Sequence, residues 1–169
     1  MKEKRGQMDI SFGMIFSIIL IIAVLAIAFY VIRYFTSLSS CASVGLFYTA
    51  LTKEVDQSWA ATTSKSLFSG NVPGSVEYVC FGNLTQQYVQ TDRTFRQEIL
   101  DHYKFTTHDN VFIYPPGTGS CTPDLGNTFV QHAKVDNFFC AKVVSGKVKV
   151  TITKNSFDAL STISPALTG

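Results

Sequence analysis

The strongest hydrophobic pattern in the chain is a long apolar run over residues 10–35. Its exceptions are Ser11, Gly13, Ser17 and Arg33. Residues 12–32 carry no charge, and at about 1.5 Å per residue they would form a helix of roughly 30 Å, the thickness of the hydrocarbon core of a bilayer. Helices in the core of a soluble protein rarely stay apolar on every face. The run therefore predicts one transmembrane helix.

After this run, apolar residues recur at intervals of three and four, which is the period of one face of a helix. The series is Leu38, Cys41, Val44, Tyr48, Leu51, Val55 and Trp59. The pattern predicts that the helix continues to about Ala60 and that a globular domain covers its apolar face. The alternative is a juxtamembrane linker followed by a separate helix, because the Ser and Thr residues at positions 36–40 have poor helix propensity.

The next part of the chain predicts short elements. Residues 62–74 are rich in Ser, Gly and Pro, and they predict a surface loop. Residues 75–81 alternate between polar and apolar side chains and predict a strand, and residues 111–114 predict another. Apolar residues four apart over residues 92–103 predict a short amphipathic helix with Thr91 or Asp92 as its N-cap.

The C-terminal part carries the clearest strand pattern. Residues 138–144 and 147–154 flank the turn-forming pair Ser145-Gly146 and predict a β-hairpin. Taken with the preceding segments, this predicts an α+β fold. A long N-terminal transmembrane helix is followed by a small antiparallel-sheet domain with one further short helix.

The charge distribution predicts how the chain crosses the membrane. Lys2, Lys4 and Arg5 precede the apolar run, so the positive-inside rule places the N-terminus in the cytoplasm and the C-terminal domain outside the cell. Residues 36–169 contain ten Lys plus Arg and ten Asp plus Glu, so their net charge is zero. A domain without a basic patch argues against a nucleic-acid partner and leaves membrane lipid as the expected one.

The four cysteines, Cys41, Cys80, Cys121 and Cys140, all lie on the predicted outer side. An even number of cysteines in an exported domain predicts two disulfides, whereas a zinc site needs closely spaced pairs such as C-x-x-C. Of the three possible pairings we favour Cys80 with Cys140, because both lie at the centres of apparently buried strand segments. That choice leaves Cys41 to pair with Cys121.

One tripeptide has the sequence of an N-glycosylation acceptor. Asn83-Leu84-Thr85 lies just after a predicted strand, where a loop would expose it to a glycosyltransferase. Such tripeptides also occur by chance, so the sequence alone gives weak support for Asn83 as a glycosylation site.

Candidate catalytic residues are few. None of His102, His108 and His132 has a metal-binding spacing. Asp101-His102 together with His108-Asp109 could form a site, but residues of this kind more often cap and solvate the end of a helix. The chain has no G-x-S-x-G motif and no phosphate-binding glycine loop. The sequence therefore predicts neither an enzyme nor a cofactor.

The segment Lys4-Arg5-Gly6-Gln7, which precedes the apolar run, resembles the class III leader of archaeal type IV pilins. The whole chain also resembles single-pass archaeal membrane proteins that have no assigned activity. In the pilin family a prepilin peptidase cuts after the glycine and leaves the apolar helix as the new N-terminus. The resemblance implies that Arg5 and Gly6 are the recognition pair and that Gln7 is the first mature residue. Ser11 stands where bacterial pilins usually carry a glutamate.

This resemblance implies three regions: a leader over residues 1–6, a transmembrane and extended helix over 7–60, and an extracellular, disulfide-stabilised α+β domain over 61–169. The implied function is that of a pilin-like surface protein whose copies assemble through their N-terminal helices, with a prepilin peptidase as a further partner. The alternative is a single-pass anchor, uncleaved and not polymerising, that displays a binding domain. In that case the basic residues serve only to orient the helix.

Overall fold

The computed structural model describes residues 12–85, 87, 93–103, 108–117 and 126–166. This part of the chain contains two helices, α1 (Phe12–Ala60) and α2 (Arg93–His102), and eight strands. The strands are β1 (Ser64–Asn71), β2 (Tyr78–Phe81), β3 (Val111–Tyr114), β4 (Asn127–Thr128), β5 (Ala133–Lys134), β6 (Phe139–Lys142), β7 (Lys147–Lys154) and β8 (Ser161–Pro165). The predicted α+β class is confirmed.

Helix α1 continues without a break through the Ser- and Thr-rich positions that the linker alternative requires to be non-helical. Its hydroxyl groups bond back to carbonyl groups of the preceding turn. Thr36 Oγ1 donates to Ile32 O at 3.0 Å, and Ser43 Oγ donates to Ser39 O at 2.9 Å. A backbone carbonyl oxygen has two lone pairs, so each acceptor can bind the hydroxyl and also keep its helical hydrogen bond.

The described strands form two four-stranded sheets. Sheet I has the order β1-β7-β8-β5, and sheet II has the order β4-β3-β2-β6. All pairs are antiparallel except β5 with β8, where Ala133 lies opposite Ser161 in a parallel pair. The small antiparallel sheet predicted from the sequence is therefore two sheets, which together supply enough apolar surface to enclose one side of a helix.

The main core forms between helix α1 and both sheets. Residues Val44, Phe47, Leu51 and Val55 are fully buried on one face of α1. They belong to one apolar cluster with Phe68, Val148, Val150 and Ile152 from sheet I and Val79, Phe81, Val111 and Ile113 from sheet II. Each such side chain contributes about 1.5–3 kcal/mol through burial, so this part of the helix is integral to the domain.

A second core lies on the other face of sheet II. Cys80, between Val79 and Phe81 on β2, belongs to a separate cluster with Leu84, Ile99, Tyr103, Phe112 and Phe138. Because successive side chains of a strand point to opposite faces, β2 contributes to both clusters. Helix α2 covers the second cluster through Ile99, which is fully buried.

The surface loop predicted over residues 62–74 is wrong, because most of it is strand β1. Phe68 and Gly70 are buried, while Leu67, Ser69 and Asn71 are exposed. The strand resembles a loop in the sequence because the positions that share the face of Phe68 are serine or glycine. A Cβ added at Gly70 would lie 2.5 Å from Phe47 Cδ2, so a glycine is needed where β1 approaches helix α1.

The prediction around Ser145-Gly146 is correct for the turn and for both strands, but wrong for their pairing as a hairpin. Both residues have positive φ angles, 52° and 71°, and a bridge joins Val144 to Lys147. The pairing ends there, because β6 pairs with β2 in sheet II and β7 pairs with β1 and β8 in sheet I. The turn therefore carries the chain from one sheet to the other.

Candidate functional site

The first candidate surface is the apolar part of helix α1 over residues 13–36, which we call the stem segment. In it no large apolar side chain is less than 42% exposed, the lowest value being that of Val31. Among the described residues there is thus one candidate membrane helix, near the N-terminus, by length and composition. Leaving this apolar surface in water would be unfavourable by about 25 cal/mol per Å². Lipid, or stem segments of other copies, would remove that cost.

The predicted processing residues Arg5, Gly6 and Gln7 lie outside the described residues. So does Ser11, at the position where the bacterial family carries a glutamate. Their proposed roles rest on the sequence alone.

Cys80 and Cys140 form a disulfide, which is the pair favoured from the sequence. The two residues lie directly opposite each other on strands β2 and β6, with an S–S distance of 2.04 Å and a Cα–Cα distance of 3.9 Å. Cys41 is also disulfide-bonded, and Cys121, its expected partner, lies outside the described residues. Disulfides persist in oxidising compartments, which fits a domain outside the cytoplasm.

A polar and aromatic cluster lies where helix α1 ends, and we call it the clasp. His132 Nδ1 is 3.0 Å from Asp56 Oδ1, and the His132 ring stacks on that of Trp59 with centroids 3.8 Å apart. Trp59 Nε1 donates to the carbonyl oxygen of Ala159 at 3.0 Å, and Lys154 Nζ donates to that of Trp59 at 2.5 Å. The clasp ties the last turns of the helix to sheet I. The sequence did not predict this role for His132.

Buried hydroxyl groups lie beside the clasp without forming a nucleophile–base pair. Ser58 Oγ is 2.5 Å from Ser64 Oγ, and Ser161 Oγ donates to Ser58 Oγ at 3.2 Å. The His132 ring is instead engaged by Asp56 and Trp59. In the described ranges these serines join helix α1 to strands β1 and β8.

The residues weighed as a His/Asp site are not brought together as one. Asp101 Oδ1 accepts from Gln97 one turn earlier in helix α2, at 3.3 Å. The carboxylate of Asp109 accepts a hydrogen bond from the side-chain amide of Asn127. Among the described residues, no group of three His, Cys, Asp or Glu side chains is placed to hold a metal ion.

Among the tyrosines that the structure describes, three have raised pKa values. Burial raises the pKa of Tyr48 far above its ordinary value, and the neighbouring Tyr103 and Asp109 raise it further. Burial also raises the pKa of Tyr103. A hydrogen bond to Glu98 at 2.6 Å raises that of Tyr114 to about 12. The phenols therefore stay neutral at physiological pH, as expected of structural side chains.

The predicted glycosylation site lies in an ordered turn that follows β2. The backbone N and the Oγ1 of Thr85 each donate to Asn83 Oδ1 at 2.9 Å. Leu84 is buried, Thr85 is exposed and Asn83 is partly exposed. Asn83 also lines a shallow cleft.

The chain matches no family model, no curated protein and no solved structure. Three features of the molecule bear on its function: the stem segment, the domain built around the second part of helix α1, and the surface of that domain.

Proposed function

We propose that this protein is a structural cell-surface subunit. After cleavage between Gly6 and Gln7, its apolar helix serves as membrane anchor and then packs with copies of itself. The sheet domain forms the outside of the assembly. The proposal assigns no catalytic role to any residue, and its partners are lipid, a prepilin peptidase and further copies of the chain.

One observation carries the proposal: helix α1 is a single element, Phe12–Ala60, with two different kinds of surface. The stem segment is apolar on all sides and exposed, whereas from Val44 onwards one face is buried in the domain. This division suits a subunit whose helix belongs both to its own domain and to an apolar assembly. Small residues, such as Ala23 and Ala26, let apolar helices approach closely.

The orientation is part of the proposal. The basic residues before the stem segment favour a cytoplasmic N-terminus, and the Cys80–Cys140 disulfide favours an oxidising surrounding for the sheet domain. The charge pattern and the disulfide are independent of each other, and both favour a sheet domain outside the cytoplasm.

The second candidate function is a monomeric anchor that displays a binding surface. It is favoured by Phe157, whose side chain is 98% exposed on an ordered turn. In that turn Asn155 Nδ2 donates to Asp158 Oδ2 at 2.8 Å, and Asp158 N donates to Asn155 O at 3.0 Å. Exposed aromatic side chains, including phenylalanine, are enriched in protein interfaces.

The deciding experiment is the intact mass of the protein purified from its native membrane, together with analysis of filaments sheared from the cells. We expect a mature chain beginning at Gln7, present in the sheared fraction. Gly6→Val should abolish cleavage, whereas the matched variant Gly13→Val, within the helix, should be cleaved normally. A chain beginning at Met1 or Lys2 and found only as a detergent-soluble monomer would support the anchor instead.

A further inference from the structure

The tripeptide Asn83-Leu84-Thr85 is part of a turn that is held by hydrogen bonds before it and within it. Before it, Gly82 N donates to the carbonyl oxygen of Asn110 at 2.9 Å. Within it, the two hydrogen bonds from Thr85 orient the Asn83 carboxamide, and buried Leu84 anchors the turn in the second core. The acceptor side chain is thus held at the surface in a defined position.

The cleft beside this turn is lined by both apolar and polar residues. Its lining includes Asn83, His108, Asp109, Phe129, Lys134 and Leu160. The side chains of Phe129 and Leu160 are 54% and 37% exposed. A surface that combines an aromatic ring with a few polar groups suits a small polar ligand that also has an apolar face. A sugar ring has both, because its C–H bonds pack on an aromatic ring while its hydroxyl groups form hydrogen bonds.

We propose that Asn83 carries an N-linked oligosaccharide whose first sugars lie in this cleft, over Phe129 and Leu160. The donor is a lipid-linked oligosaccharide with a phosphate or diphosphate at its anomeric carbon. The Asn83 Nδ2–C1 bond forms, the bond from C1 to the phosphate oxygen breaks, the lipid phosphate leaves, and one amide proton passes to a base. The inference rests on the outward orientation of the domain in the proposed function.

Its position over Phe129 and Leu160 gives the glycan a structural role. Phe129 and Leu160 belong to different segments of the domain, one following β4 and the other preceding β8. Sugars held on both would link these segments to the turn after β2. Their removal would return both side chains to water, at a cost proportional to the apolar area uncovered.

The first test is peptide mapping, alongside the intact mass, of the protein from its native membrane. We expect carbohydrate mass on the peptide that contains Asn83. It should be lost in Asn83→Gln and in Thr85→Val, and kept in Thr85→Ser, which preserves the acceptor motif. An unmodified Asn83 overturns the proposal. The same spectrum reports the N-terminal residue. An unmodified chain that begins at Gln7 would contradict this inference alone, and a glycosylated chain that begins at Met1 would contradict the proposed function alone.

The second test concerns the cleft. Thermal unfolding is compared between the native glycoprotein and the same chain exported by a host without N-glycosylation. We expect the glycan to raise Tm by a few degrees, and the increase to be lost in Phe129→Ser. Phe157→Ser is the matched control, since Phe157 is exposed but does not line the cleft, and it should keep the increase. An equal increase in both variants would show that the sugars do not lie over Phe129.

Discussion

Helix α1 contains a stem segment whose large apolar side chains are all exposed and a core segment, residues 37–60, in which one face is buried. In the stem segment apolar residues occupy every side of the helix, whereas in the core segment they recur every three or four positions. The backbone conformation is the same in both. The difference shows that the arrangement of apolar residues around a helix determines which surroundings it requires, an apolar environment on every side in one case and the domain on one face in the other.

The largest effect should come from truncating equivalent leucines in the two segments. Leu51 is fully buried, so Leu51→Ala should lower the free energy of unfolding of the domain by about 2–5 kcal/mol, because it removes apolar contacts and leaves a cavity. Leu20 is half exposed, and Leu20→Ala should leave that free energy unchanged. Denaturant unfolding in detergent, followed by tryptophan fluorescence, measures both. Similar losses in the two variants would contradict the division of the helix.

A smaller effect is expected where β1 approaches the core segment. Gly70→Ala places a Cβ 2.5 Å from Phe47 Cδ2, and overpacking of this kind costs about 1–3 kcal/mol. Phe47→Leu should recover part of the loss in the double variant. Gly45 provides the control, since a Cβ there meets nothing within 4 Å and alanine favours the helix by about 1 kcal/mol. Equal effects of Gly45→Ala and Gly70→Ala would mean that the close approach is not what requires a glycine.

Next in size is the clasp at the end of the core segment. His132 has a φ of 59°, which Asn tolerates better than Ala. His132→Asn therefore tests the ring with little backbone strain, and it should cost about 1 kcal/mol, the worth of one aromatic stack. The partly exposed pair with Asp56 should add little. The measurement is the midpoint of urea unfolding, and His132→Ala should lower it further because of its backbone conformation.

The sequence predicted the two segments of α1 better than it predicted the sheets. A long apolar run and a helical period are local patterns, so they placed the helix, its end at Ala60 and the exposed stem. Strand β1 was missed because its inward face carries only one large apolar residue, Phe68, and the other positions on that face are serine or glycine. The partners of β6 and β7 were missed because pairing depends on contacts between distant parts of the chain.

Local sequence patterns also failed to predict the parts of the candidate site that come from distant positions in the chain. The acceptor tripeptide at Asn83 is visible in the sequence, but the cleft beside it depends on Phe129 and Leu160, which are distant in the chain. The clasp likewise joins Asp56 to His132, 76 residues apart. No local pattern predicted the partners of His132, because Asp56 and Trp59 lie on helix α1, far from it in the chain.

The smallest effect we predict is a pH dependence confined to the sheet domain. The hydrogen bond to Glu98 raises the folded-state pKa of Tyr114 from 10.0 to about 12. A raised folded-state pKa means that the stabilisation is complete below pH 10 and is lost as the pH rises towards 12. Domain stability should therefore decline over this range, and less so in Tyr114→Phe, which cannot donate to Glu98.

Tyr30 and Tyr34 of the stem segment provide the control, since Tyr30→Phe and Tyr34→Phe should leave the alkaline decline of the domain as it is. Thermal unfolding between pH 9 and pH 12 measures the difference, and an identical decline in wild type and Tyr114→Phe would assign the effect to other groups.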